Sequence, residues 1–147
     1  FIVNYFSNIC TMCDTLGICK FTSKWGSSAI GYDEMAALLT CTTGINYDAE
    51  GIRKTAERIN NLERAYLIRE GVSRKDDTIH GRIMDEPVPS GPHKGKMLNR
   101  EKFNGMLDDY YDIVGWNKKT GVPEKSTLQD LGLKDVAEDL EKMGKYR

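Results

Sequence analysis

No stretch of the 147 residues comes near the ~18 consecutive apolar positions that a helical membrane span requires, so none is expected. Nor is there surplus charge: 21 Lys and Arg oppose 22 Asp and Glu, a formal net charge of −1. A chain so balanced has no global basic field for nucleic acid or for an anionic membrane surface. Strand-like alternation never lasts beyond four residues, and no internal repeat is present. Phe1 to Cys10 is apolar but lacks a basic n-region and a small-residue cleavage site, so it is not read as a secretory signal. What remains suffices for one domain, since a chain of this length buries about two-thirds of its unfolded surface. Leu, Ile, Val, Met and aromatic residues are spread along it, which argues against disorder. The chain opens on Phe1 rather than Met, with its densest reactive residues in the first twenty positions. The expectation is a piece of a longer polypeptide.

The fold class read from the pattern is all-α, an irregular multi-helix domain. Asp33 is placed to cap a short helix through Met35, Ala36, Leu38 and Leu39 that stops before Gly44. Asp48 opens the strongest helix, with Ile52, Ala56, Ile59, Leu62 and Tyr66 at three- and four-residue spacing and Gly71 as its terminator. Residues 72–98 change texture to Gly, Pro, Ser and charge, and Pro87, Pro89 and Pro92 exclude a helix there. Asn99 caps a helix carrying Phe103, Met106, Leu107, Tyr110, Tyr111 and Val114. Gly115–Trp116 ends it. Ser126 is read as the cap of one turn through Leu128, and Lys134 to Met143 as a last amphipathic helix. The dense charges Arg64, Arg69, Glu70, Arg74, Asp76 and Asp77 read as a structural ion-pair network at a domain face. Tyr110, Tyr111 and Trp116 read as core and interface residues.

Three of the four cysteines are close together, as Cys10-x2-Cys13-x5-Cys19, in an N-terminal loop. Two thiolates across a tight turn suit one edge of a zinc or iron–sulfur site. A closed zinc site needs four ligands, however. There is no second Cys-x2-Cys, and neither His80 nor His93 has a partner at metal spacing. Cys41, beside Leu39 and Ala37, reads as a small core residue.

Asp14-Thr15-Leu16-Gly17-Ile18-Cys19-Lys20-Phe21 resembles the D-x-x-G-L-C motif of the tungsten-dependent aldehyde ferredoxin oxidoreductases. Arg58 to Arg64, then Arg69 to Asp77, resemble that family's next stretch, and Leu107 to Tyr111 with Gly115–Trp116 and Leu128 to Leu133 its closing segment. The resemblance runs in order over nearly the whole chain and places residues 1–147 at the family's C-terminal helical domain. Within it, 1–31 is the segment expected to contact cofactors and 72–98 a long Pro/Gly loop. Ile18 stands where the family usually has Leu, a volume-conserving change. His80 follows Ile79 where the family tends to show Leu-Pro.

The resemblance implies an enzyme holding tungsten (or, as the alternative, molybdenum) on a bis-pterin tungstopterin beside a [4Fe–4S] cluster. Cys19 would be the last of four cluster ligands, the other three lying in a preceding domain. Asp14 would hydrogen-bond a pterin, and Gly17 and Ile18 would lie against the cofactors. The residue types suit those roles: a carboxylate accepts paired N–H bonds, glycine lets backbone approach a flat ring, and a thiolate ligates iron. Cys10 and Cys13 would pack near the cofactors, and no catalytic residue is assigned in this chain. The reaction implied is oxidation of a small aldehyde to a carboxylic acid, with electrons passed to ferredoxin. The partners implied are the remaining domains of the same enzyme and ferredoxin, with a homo-oligomer allowed and no nucleic acid or membrane. The compartment implied is an anaerobic cytoplasm. The alternatives are a family relative acting on another oxo substrate or an aromatic acyl thioester, a stand-alone zinc or Fe–S module, and a helical interaction module docking through the stripe of Asp48 to Glu70.

Overall fold

Tyr5, Ile9, Met12, Cys13 and Leu16 recur on one face of a helix, and the computed structural model, which describes residues 1–26 and 29–146, shows that helix as α1, Ile2–Leu16. This corrects the expected N-terminal cysteine loop: Cys10, Cys13 and Asp14 are helical, and only Cys19 follows the helix end. Six more helices follow among the described residues: α2 (Tyr32–Thr43), α3 (Ala49–Arg69), α4 (Gly81–Asp85), α5 (Arg100–Val114), α6 (Lys125–Asp130) and α7 (Lys134–Lys142). Beside them lie short 3-10 turns at Lys20–Thr22 and Arg74–Asp76. Among the described residues β structure is limited to two isolated bridges, Ser23 to Ile30 and Trp116 to Pro123.

Helix α3 is the central element, packed against α1 and α2 at one end and α7 at the other. It begins where Asp48 accepts a hydrogen bond from the Gly51 N–H at 2.7 Å, as the sequence predicts. Its first half buries Ile52 and Ala56 with Ile9, Met12 and Cys13 of α1 and Met35 and Ala36 of α2. Its second half buries Ala65 and Ile68 in a separate cluster with Val122, Leu128, Leu133, Ala137 and Leu140. Leu62 and Tyr66, expected on the buried stripe, are instead exposed at 45% and 56%. The face turns because polar Asn61 and Arg64 are drawn inward, both only 4% exposed.

Those two residues build a polar node between the clusters. Arg64 donates through Nε to the Gly121 carbonyl (2.8 Å) and through its two terminal nitrogens to Asp77 (2.8 and 2.5 Å). The Tyr111 hydroxyl donates to the same carboxylate, and the Arg64 guanidinium lies 4.6 Å from the Trp116 ring centroid. The Trp116 indole N–H donates to Asn61 Oδ1 at 2.9 Å. Arg74 pairs with Asp108 at 2.8 Å. The node ties two loops to α3 and α5, and every polar bond of Arg64 is local to it. Gly121 (φ 74°) is required there, since a Cβ would lie 2.2 Å from the Arg64 guanidinium.

Several ends differ from their predicted caps. Glu34, in the first turn of α2, reaches back to the Gly31 N–H at 2.7 Å, so the cap is Gly31 rather than Asp33. Helix α6 starts after Glu124 rather than Ser126. Segment 72–98 contains α4, capped by His80, whose Nδ1 accepts from the Arg82 N–H at 3.2 Å. Cys41 is exposed on α2, not core, because α2 buries only Met35 and Ala36 fully. Among the described residues no helix is long and apolar enough to cross a membrane.

Candidate cofactor-contacting site

The residues Asp14 to Cys19 close α1 with a Schellman turn. The Ile18 N–H bonds the Cys13 carbonyl at 2.8 Å and the Gly17 N–H bonds the Asp14 carbonyl at 3.4 Å, while Gly17 takes the left-handed conformation (φ 68°) that the turn requires. Ile18 then packs on the first core cluster, which includes Cys13, supplying the apolar contact that accompanies such turns. Leu or Ile serves equally there, so the departure from the family's Leu is structurally neutral.

Because the turn is locked from inside, its polar groups face out. Cys19 is exposed, immediately after Ile18 and before the 3-10 turn at Lys20–Thr22. The Asp14 side chain is 67% exposed and meets Lys20 Nζ at 2.8 Å. That hydrogen bond raises the Lys20 pKa above its ordinary value and holds the ammonium charged. A Cβ built on Gly17 meets nothing within 4 Å, so the space over this glycine is open. Cys13 is fully buried in the core and Cys10 half-buried, with burial pushing the Cys10 thiol up and away from ready thiolate formation.

A tungstopterin and an iron–sulfur cluster are the groups the resemblance implies here. The donor set fits: an exposed thiol for one iron, a carboxylate with free acceptor positions, and a glycine with open space for a flat ring. It fits only as part of a larger site. Among the described residues no group of three or more His, Cys, Asp or Glu converges to hold a metal ion, so Cys10, Cys13 and Cys19 do not assemble a zinc site of their own. Lys20 was not singled out by sequence reasoning. No spacing in the sequence marks it, because its contact with Asp14 arises only where the chain folds back after Gly17.

The model described as aldehyde ferredoxin oxidoreductase, domains 2 and 3, matches residues 1–133. Tungsten-containing aldehyde ferredoxin oxidoreductases of Pyrococcus abyssi (32% identity over 91% of this chain) and Pyrococcus furiosus (33% over 87%) are similar to it. An aliphatic sulfonate oxidoreductase, WOR-like subunit, of Pyrococcus furiosus is 30% identical over 90%. Among solved structures, the active site complex BamBC of benzoyl coenzyme A reductase, with 1,5-dienoyl-CoA, superposes with a TM-score of 0.81 at 30% identity over 97% of this chain. The chain spans about a fifth of the length of these relatives. With the helical architecture and the Asp14–Cys19 turn, the matches have one reading: this chain belongs to the aldehyde ferredoxin oxidoreductase family.

Proposed function

We propose that this chain is the helical part of a tungstopterin oxidoreductase, in which Cys19 supplies the fourth thiolate of a [4Fe–4S] cluster and Asp14 anchors a pterin. The observation that carries the reading is the Schellman turn, which sets an exposed thiol, an exposed carboxylate and an open glycine at one helix end. A tungstopterin held there would supply the two-electron chemistry of aldehyde oxidation to a carboxylic acid with water as oxygen source, and a cluster held by Cys19 would supply one-electron transfer toward ferredoxin. The chain's own share is positional. Asp14 would accept N–H bonds from the ring edge, Lys20 would keep that carboxylate oriented, and the open backbone at Gly17, held by Ile18 packed inward, would leave room for the ring. The remaining ligands and the substrate pocket belong to other domains of the same enzyme.

A second reading, reduction of an aromatic acyl thioester, is favoured by one observation: the benzoyl coenzyme A reductase complex superposes over nearly the whole chain. Assaying the full enzyme anaerobically with aldehydes and with aryl-CoA thioesters separates the two.

The test of the site uses the full enzyme carrying this segment. Cys19→Ala is expected to lose most of its roughly four iron atoms per chain while the helical fold survives. Asp14→Ala is expected to lower tungsten content and keep iron. A Cys19→Ala enzyme with full iron content and normal electron transfer overturns the assignment. About one zinc per chain in the native protein, without iron or tungsten, does so equally.

A further inference from the structure

Asn60, in the Arg58–Arg64 stretch of α3, grips α1 one turn before the Asp14–Cys19 motif begins. Its Oδ1 accepts from the Thr11 hydroxyl at 2.7 Å, and its Nδ2 donates to Asn8 Oδ1 at 2.7 Å. Asn8 is only 2% exposed and in turn hydrogen-bonds the Tyr32 hydroxyl of α2. Among the described residues no other side-chain hydrogen bond joins α1 to α3. The buried residues beside this trio are apolar: Ile9, Met12 and Cys13 of α1 cluster with Ile52 and Ala56 of α3.

Apolar packing and hydrogen bonding constrain a helix differently. Apolar side chains of the right size bury their surface in more than one rotation of the helix, and such cores lose uniqueness before they lose stability. A carboxamide bonded at both ends accepts only one arrangement. Asn60 holds two residues three apart on α1, so both the rotation of α1 and its slide along α3 are fixed. A slip of one residue would turn α1 by ~100° and move it by ~1.5 Å. Ligating and anchoring groups have to stay within ~0.5 Å and ~10–20° of their working geometry, so a fraction of that slip misdirects whatever the helix end presents. The Schellman turn transmits the register, because the Ile18 N–H is bonded to the Cys13 carbonyl. Resting on the cofactor assignment above, we infer that Asn60 is a positioning residue for the cofactor turn. It sets the register of α1 on α3, and so the direction in which Asp14 and Cys19 are presented. A buried amide that fixes register does so at a cost in stability, which apolar residues of similar size would avoid.

The test compares the full enzyme with two variants. Asn8→Leu/Thr11→Val/Asn60→Leu leaves no amide or hydroxyl of the trio unpaired, so a merely structural role predicts parental stability and normal cofactors. The positioning role predicts a folded enzyme, with parental helix content and urea midpoint, whose cluster signal in electron paramagnetic resonance divides into more than one species. It also predicts iron held about tenfold more weakly against an anaerobic chelator, with tungsten content reduced alongside. Thr11→Val removes a single bond; it is expected to fold as the parent does and to show the same effects more weakly. Full iron and tungsten with the parent's single signal, in a folded triple variant, overturns the inference. The same result in Thr11→Val overturns it where the triple variant does not fold. Iron retained by Cys19→Ala instead overturns the cluster assignment beneath it, so the two failures are distinguishable.

Discussion

Gly17 ends α1 in the left-handed conformation, and the cofactor contact proposed for it is separable from that role by one substitution. Its left-handed φ costs an L residue about 1–2 kcal/mol, yet nothing in this chain occupies the space where a Cβ would stand. Gly17→Ala is therefore expected to lower the stability of this chain by about 1 kcal/mol in urea unfolding, with no clash beyond that strain. In the full enzyme a much larger loss of tungsten or pterin would mean that the new methyl meets the ring. Tungsten content unchanged in that variant would remove Gly17 from the site. The six-residue motif was legible in the sequence through its resemblance to the family's pattern rather than as a helix end. Lys20 was not, since its pairing with Asp14 depends on how the chain turns after Gly17.

At the scale of elements, two predicted N-caps hold, while Asp33 and Ser126 give way to Gly31 and Glu124. Asp48 and Asn99 cap α3 and α5 as their residue types require. Asp48→Ala is expected to cost about 1 kcal/mol in thermal or urea unfolding, against roughly 2–5 kcal/mol for Ile52→Ala in the first core cluster. Equal losses for the two would mean that α3 is held by its end rather than by its packing. Helix α1 was missed because its apolar and reactive residues read as a cofactor loop, although Tyr5, Ile9, Met12 and Leu16 carry helical spacing. Leu62 and Tyr66 were misassigned because hydrophobic spacing alone gives no sign that Arg64 and Asn61 turn inward for a polar node. The expected ion-pair network is real at Arg64–Asp77 and Arg74–Asp108, but Arg69 pairs with its neighbour Glu70 and lies 4.4 Å from the Tyr66 ring centroid, outside that network.

Across the whole molecule, three tyrosines make the fold sensitive to alkali. Burial pushes Tyr32, Tyr111 and Tyr146 each up to about 12, and for Tyr111 the hydrogen bond to Asp77 adds to it. The folded chain then keeps protons that an unfolded chain, with phenols near 10, gives up. Their contribution to stability is complete below pH ~10 and falls as pH rises from about 10 to 12. Urea unfolding across that range is expected to show the decline, less steep in Tyr111→Phe; a flat profile would mean that the phenols ionise without opening the fold. The two apolar clusters share α3 but almost nothing else, one seated on Ile52 and Ala56, the other on Ala65 and Ile68. Amide exchange should therefore resolve two cooperative units, with the backbone of α6 and α7 opening to solvent deuterium while α1 and α2 stay closed. The end of the chain remote from Cys19 can then breathe without loosening the helix that presents the thiol.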